Sequence, residues 1–283
     1  MAYKEILVVV DNAAGAAQRV APAAALAAIF GARLTGYFAS GYPLTAGYGD
    51  MSGMAELVET YMSAQRTEAN AAEAAFRQAL AGAKLPGAKL AGEWQYHEAE
   101  ATPSVIAQAV LYDLIVVGQP NPDNALENAF GLRPAEIVLG SGRPVLVVPY
   151  AGNFAGLGKR VIVGWNRRRE AVRALHDAIP LLERAEAALV VEVDPAPPVL
   201  SEPVVSAADI AAALTRRGIR AAAETQTAAD MGIDDLLLSR AADFGADLLV
   251  MGAYGHSQLR EYVLGGVSRG VFRQMTLPVL MAH

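Results

Sequence analysis

The strongest constraint on this 283-residue chain is that it repeats itself. YDLIVVG at Tyr112–Gly118 resembles ADLLVMG at Ala246–Gly252, and RPVLVVP at Arg143–Pro149 resembles LPVLMAH at Leu277–His283. Gly118 and Gly252 are 134 residues apart, and so are Pro144 and Pro278. A shift held across two separate segments marks a duplicated unit. KEILVVVDN at Lys4–Asn12 also resembles KRVIVGWNR at Lys159–Arg167, here with 155 residues between Asp11 and Asn166. The first unit is therefore longer by 21 residues in its middle. The small, Gly-rich stretch Ala151–Gly158 separates two apolar runs and reads as a linker. The expected organisation is one domain over 1–150, a linker over 151–158 and a second domain over 159–283.

Each unit alternates short apolar runs with longer helical patterns. In the first, Ile6–Val10, Arg33–Ala39, Trp94–His97, Leu114–Val117 and Val145–Val148 read as strands. In the second, Val161–Val163, Leu189–Val193, Ala221–Thr225, Leu248–Met251 and Val279–Met281 take their places. A long helix is expected from about Met54 to Leu80. Thr102-Pro103 reads as an N-cap and first helical residue, and Arg133-Pro134 as another helix start. Runs buried on both faces and separated by helices imply right-handed βαβ crossovers, so the fold class is α/β. Each domain is a doubly wound, five-stranded parallel sheet with helices on both faces. The last strand of each unit is apolar and ends its domain, an edge that invites pairing.

Composition removes several function classes. Lys plus Arg is 23 against 29 for Asp plus Glu, a net charge of −6, which argues against a broad nucleic-acid surface. No cysteine is present, so disulfides, thiolate metal sites and cysteine nucleophiles are excluded. The strongly apolar stretch Val20–Ala32 has 13 residues and contains Pro22, whereas about 20 are needed to span a bilayer. Ile6–Val10 is too short for a signal peptide core and ends at Asp11. A cytoplasmic protein without membrane or nucleic-acid partners is expected. Its four histidines share no metal-ligand spacing.

The most informative segment follows the fourth strand of the second unit. Met251-Gly252-Ala-Tyr-Gly255 is followed by nine residues and then Gly265-Gly266-Val267-Ser268, which opens a helix with Val267, Val271 and Met275 on one face. Glycines after a strand let backbone approach a ligand, and a helix N-terminus offers N–H donors to phosphate. The same glycines could instead serve only turns and close packing. No G-x-x-x-x-G-K-[ST] loop, G-x-S-x-G elbow or nucleophile–base set appears, so hydrolysis of a nucleotide would be slow at most.

This spacing, with the Pro-Val-Leu terminal strand and the duplication, resembles the universal stress protein family, as a tandem, two-domain member. Nucleotide-binding members carry Gly, two residues, Gly, nine residues, Gly, then Ser or Thr. The resemblance implies a site for ATP or a related adenine nucleotide on the second unit. It would comprise Asn166 and Val193 at the nucleoside and Met251, Gly252, Gly255, Gly265, Gly266, Val267 and Ser268 at the phosphates. Any Mg ion would come with the nucleotide. It also implies a stress-response regulator whose terminal strands pair, giving an intramolecular pseudo-dimer or a homodimer. Two positions depart. Gly266 stands at the hydroxyl position, which removes one hydrogen bond and about tenfold in affinity. Asn166 replaces the usual Asp, beside a bulky Trp165 that could crowd the base, and Asn166 could equally cap the next helix. In the first unit Asp11, Gly118 and Gly131 are kept, but Asn121 between two prolines and Leu132 break the glycine pattern. The alternative is a non-nucleotide interaction module of the same fold, docking protein partners or a small apolar ligand.

Overall fold

All ten expected strands form, and they join into one sheet. The computed structural model describes residues 2–10, 16–40, 54–82, 92–121, 123, 131–154, 156–194, 204–253 and 266–283. The first half contributes β1 (Glu5–Val9), β2 (Arg33–Ala39), β3 (Glu93–His97), β4 (Leu114–Gly118) and β5 (Val145–Val148). The second contributes β6 (Arg160–Trp165), β7 (Ala187–Val193), β8 (Ala221–Gln226), β9 (Leu248–Gly252) and β10 (Val279–Ala282). Among the described residues the α-helices are α1 (Ala16–Phe30), α2 (Met54–Gly82), α3 (Ala101–Gln108), α4 (Pro134–Gly140), α5 (Arg169–Leu182), α6 (Ala207–Arg216), α7 (Ile233–Phe244) and α8 (Gly266–Gln274).

The strand order is β3-β2-β1-β4-β5-β10-β9-β6-β7-β8, symmetric about its centre. Within each half every pairing is parallel. The two halves meet through one antiparallel pair, with Val279 opposite Val147, Leu280 opposite Leu146 and Met281 opposite Val145. The expected pairing of the terminal strands is thus present within the single chain. Because strand side chains alternate, the seam feeds two cores. Leu146, Val148, Leu280 and Ala282 join one, and Val145, Val147, Val279 and Met281 the other. Each core runs through both halves, which explains why these strands are apolar at every position.

The repeated aspartate explains part of the sequence likeness. Asp113, just before β4, accepts the backbone N–H groups of Lys4 at 2.7 Å and Glu5 at 3.0 Å. Asp247, just before β9, accepts those of Gly158, Lys159 and Arg160 at 2.9–3.1 Å. In both halves this side chain anchors the chain entering the first strand.

Further contacts among the described residues tie the halves together. Tyr3 is buried, and its hydroxyl donates to the Asp177 carbonyl on α5 at 2.6 Å. Burial, with the Asp177 and Asp113 charges, raises its pKa far above the usual phenol value. The buried Gln119 donates to the Phe272 carbonyl on α8 at 2.7 Å and accepts from the Tyr150 N–H. Arg184 lies over the Phe30 ring.

One helix start differs from expectation. Helix α3 begins at Ala101 with Glu100 as N-cap, so Pro103 is the third helical residue and Thr102 is not the cap. Thr102 is buried, and its hydroxyl accepts the N–H of Arg133 at the start of α4. That tertiary bond outweighs the local capping option. Arg133-Pro134 begins α4 as expected, with Pro134 at the first position.

Because Leu146 is fully buried where the halves meet, Leu146→Ala is expected to cost about 2–5 kcal/mol. Urea denaturation should show one transition moving to lower midpoint, since both cores cross the seam.

Candidate functional site

In a doubly wound sheet the crevice lies beyond the carboxyl ends of the strands, where the order reverses. In the second half that point falls between β6 and β9, which are adjacent and parallel. Strand β7 lies on the other side of β6, with Glu192 opposite Trp165. The crossover from β9 to β10 passes through α8, so α8 opens near the carboxyl end of β9. Asn166, Val193, Met251, Gly252 and the α8 start at Gly266, Val267 and Ser268 therefore share one sheet edge. Gly255 and Gly265, like Asp11 of the first half, lie outside the described residues.

The local roles are specific. Asn166 accepts the N–H of Arg168 through Oδ1 at 3.1 Å, closing a turn two residues long. It does not cap α5; Arg168 holds that position without a side-chain bond. The short Asx turn wins because Arg167 adopts a left-handed φ of 63°, which delays the helix start. Trp165 is buried in the first core, and its indole N–H donates to the Val205 carbonyl at 3.0 Å. Val193 is half-buried against the second core, Met251 is buried, and Ser268 is a buried polar residue.

The two described glycines of the motif serve different needs. A Cβ on Gly252 would run into α5, meeting the backbone nitrogen of Ala171 and the Glu170 carbonyl carbon at 2.5 Å. Gly252 is thus required for close packing of the first helix on the sheet. A Cβ on Gly266 would meet no atom of the described residues within 4 Å, and Gly266 itself is exposed. Further along α8, Gly270 leaves room for the Asp234 carboxylate of α7.

Two acidic groups at this edge carry no motif, and motif reading passes over them. Glu192 is 3 % exposed and pairs with Arg167 Nε at 2.5 Å; its second oxygen accepts the Ala207 N–H at the start of α6. The signal was an isolated acid inside the apolar run Leu189–Val193. Glu170, 7 % exposed, pairs with Arg169 Nε at 2.8 Å. Burial pushes its carboxyl up. The Arg169 hydrogen bond, its own backbone N–H and the charges of Arg169 and His283 outweigh that and hold it below the ordinary range. Among the described residues no His, Asp or Glu cluster is arranged to hold a metal ion.

The first half uses the same edge differently. Arg19 of α1 is buried and lies against Gly118, where a Cβ would meet its Cδ, Nε and Cζ at 2.8 Å. In the second half the equivalent position is Ala174. A guanidinium side chain therefore occupies at Gly118 the space that helix backbone occupies at Gly252.

Residues 158–283 match the universal stress protein family model. Two solved structures resemble the whole chain in fold. A universal stress protein from Archaeoglobus fulgidus has a TM-score of 0.68 at 16% identity, covering 100% of this chain and 96% of that one. A protein of unknown function from Pseudomonas aeruginosa has a TM-score of 0.55 at 15% identity, covering 99% and 92%. No curated protein matches the sequence.

Two outcomes follow from this geometry. Gly252→Ala should destabilise by about 1–3 kcal/mol through overpacking, whereas Gly266→Ala should stay within about 0.5 kcal/mol of wild type; denaturant titration separates them. A carboxyl with a lowered folded-state pKa adds stability that is complete above its unfolded pKa and lost as pH falls through the folded value. Glu170→Gln should therefore lower the melting temperature at pH 7, and the gap from wild type should close below about pH 4, as read by thermal melts from pH 7 to 3.

Proposed function

We propose that the whole chain is a tandem universal stress protein whose second half binds ATP or a related adenine nucleotide as a regulator of the stress response. Its domains would be 1–150 and 159–283, joined by 151–158. The observation that supports a ligand at this edge is the exposed start of α8 at Gly266. Its backbone donors stand on the sheet edge that also carries Asn166 and Val193. Gly266, Val267 and Ser268, with Gly252, Gly255 and Gly265 before them and Met251 beneath, would hold the phosphates; Asn166 and Val193 would hold the nucleoside. Binding would act by shifting a conformation or a partner surface, with no turnover or slow hydrolysis at most. A Mg ion would enter only with the nucleotide.

A second reading has its own support. Gly252 is fully accounted for by packing against α5, so part of the glycine spacing needs no ligand. On that reading the edge docks a protein partner or a small apolar molecule.

The experiment is a calorimetric titration of ATP into wild type and Gly266→Ser. Space at Gly266 accommodates the side chain, and a hydroxyl restored to the phosphate position should tighten binding by up to about tenfold. No heat from either protein at millimolar ATP would sink the nucleotide reading in favour of the docking module. Gly252→Val is a poor probe here, because its side chain would displace α5.

A further inference from the structure

Tyr3 and Gly158 are equivalent residues of the two repeats, each followed by a lysine and then by the first strand of its half. Their surroundings differ. The Tyr3 ring packs edge-on against Phe30 of α1, with centroids 5.1 Å apart, and its hydroxyl crosses to the Asp177 carbonyl on α5 of the other half. Gly158 also faces the other half, toward α1, but it brings no side chain, and its φ of 87° favours glycine. Pro22, the counterpart of Asp177 at the same 155-residue shift, stands one turn before Leu26 on α1. A tyrosine ring therefore bridges the halves at one junction, and at the other an open cavity of about 260 Å³ remains. Its apolar walls are Ala25, Leu26 and Ile29 of α1 with Leu157 of the linker. Lys159 and Arg184 line it too, and Arg184 is held over the Phe30 ring. Among the described residues its lining contains no Asp or Glu. Two cations thus share an apolar recess in a chain whose net charge is −6.

We propose that this cavity binds a small aromatic carboxylate, with its ring against the α1 wall and its carboxylate on Lys159 and Arg184. The ring follows from the repeat, since the equivalent junction is filled by a phenol side chain. Size agrees: an apolar cavity of about 150 Å³ holds benzene, so this one has room for a ring and one substituent. The charge follows from the two cations. A carboxylate accepts charge-assisted hydrogen bonds from both, while their aliphatic stems extend the apolar walls. The cavity lies where the chain enters β6, at the amino edge of the strands and away from the crevice at their carboxyl ends. It is therefore independent of the nucleotide reading. Like Tyr3, its occupant joins α1 of one half to the linker and α5 end of the other.

The test titrates benzoate, phenol and acetate calorimetrically into the full chain, as wild type, Ala25→Phe and Lys159→Met, with thermal melts to report the fold. Wild type is expected to bind one benzoate saturably at millimolar concentration, phenol more weakly and acetate not at all. Ala25→Phe fills the cavity and should abolish binding of both ring compounds. Lys159→Met removes the charge but keeps the stem; it should weaken benzoate by up to about tenfold and leave phenol unchanged. Should Ala25→Phe fail to fold, Ile29→Glu replaces it: Ile29 is 45% exposed, so the change is tolerated, and a carboxylate there should repel benzoate. No saturable benzoate binding to wild type would overturn the proposal. So would benzoate binding that survives the cavity variants, which places the ion elsewhere. Acetate binding as tightly as benzoate would overturn the ring, and benzoate binding unchanged in Lys159→Met would overturn the carboxylate contact.

Discussion

The antiparallel contact between β5 and β10 is the constraint on which the rest of the architecture depends. Three residue pairs are in register there, and their side chains are fully buried on both faces of the sheet. Without that pairing, each half would end in an apolar strand with a row of unmatched backbone donors and acceptors. With it, two five-stranded sheets become one of ten strands; one core runs from α1 and α2 of one half to α5 and α6 of the other, and the second runs from α3 and α4 to α7 and α8. The bonds of Tyr3 and Gln119 across the halves add local hydrogen bonding to an interface already set by apolar burial.

The two carboxyl edges show how one plan supports different uses. The strands, the anchoring aspartates Asp113 and Asp247, and the glycines Gly118 and Gly252 are shared. What lies over each glycine is not. Helix backbone closes on Gly252, and the Arg19 side chain closes on Gly118. Strand geometry is dictated by alternation and burial, so it survives divergence. The edge is built from loop and helix-end side chains, where a single residue changes the available space.

Most of the fold was legible in the sequence, and for physical reasons. Strands buried on both faces must be apolar throughout, so Val145–Val148 and Leu114–Val117 announce themselves. The fixed shift between Pro144 and Pro278 identified the duplication, and the unpaired terminal strands implied the seam. Local capping was less legible. Thr102 and Asn166 have side chains that can bond at several nearby positions, and the choice was made by Arg133 in one case and by the left-handed turn at Arg167 in the other. At the site, Asn166, Val193, Met251, Gly252 and Gly266 fall on one edge; the glycine spacing singles out the last three, and the family resemblance the first two. The packing duty of Gly252 and the Arg167–Glu192 pair were not legible, because each depends on a partner distant in sequence or on another strand.

Arg19 in the first half has a consequence for how such a protein can change. When two identical chains form a symmetric pair, every substitution lands in both crevices at once, and a residue that fills one fills the other. Here the seam joins two segments of one chain, so position 19 and position 174 vary independently, and they hold arginine and alanine. Covalent tethering has thus broken the symmetry that strand pairing creates. One edge is free to be closed by a buried guanidinium while the other keeps its exposed helix start, and both remain in a fixed one-to-one ratio within the same sheet.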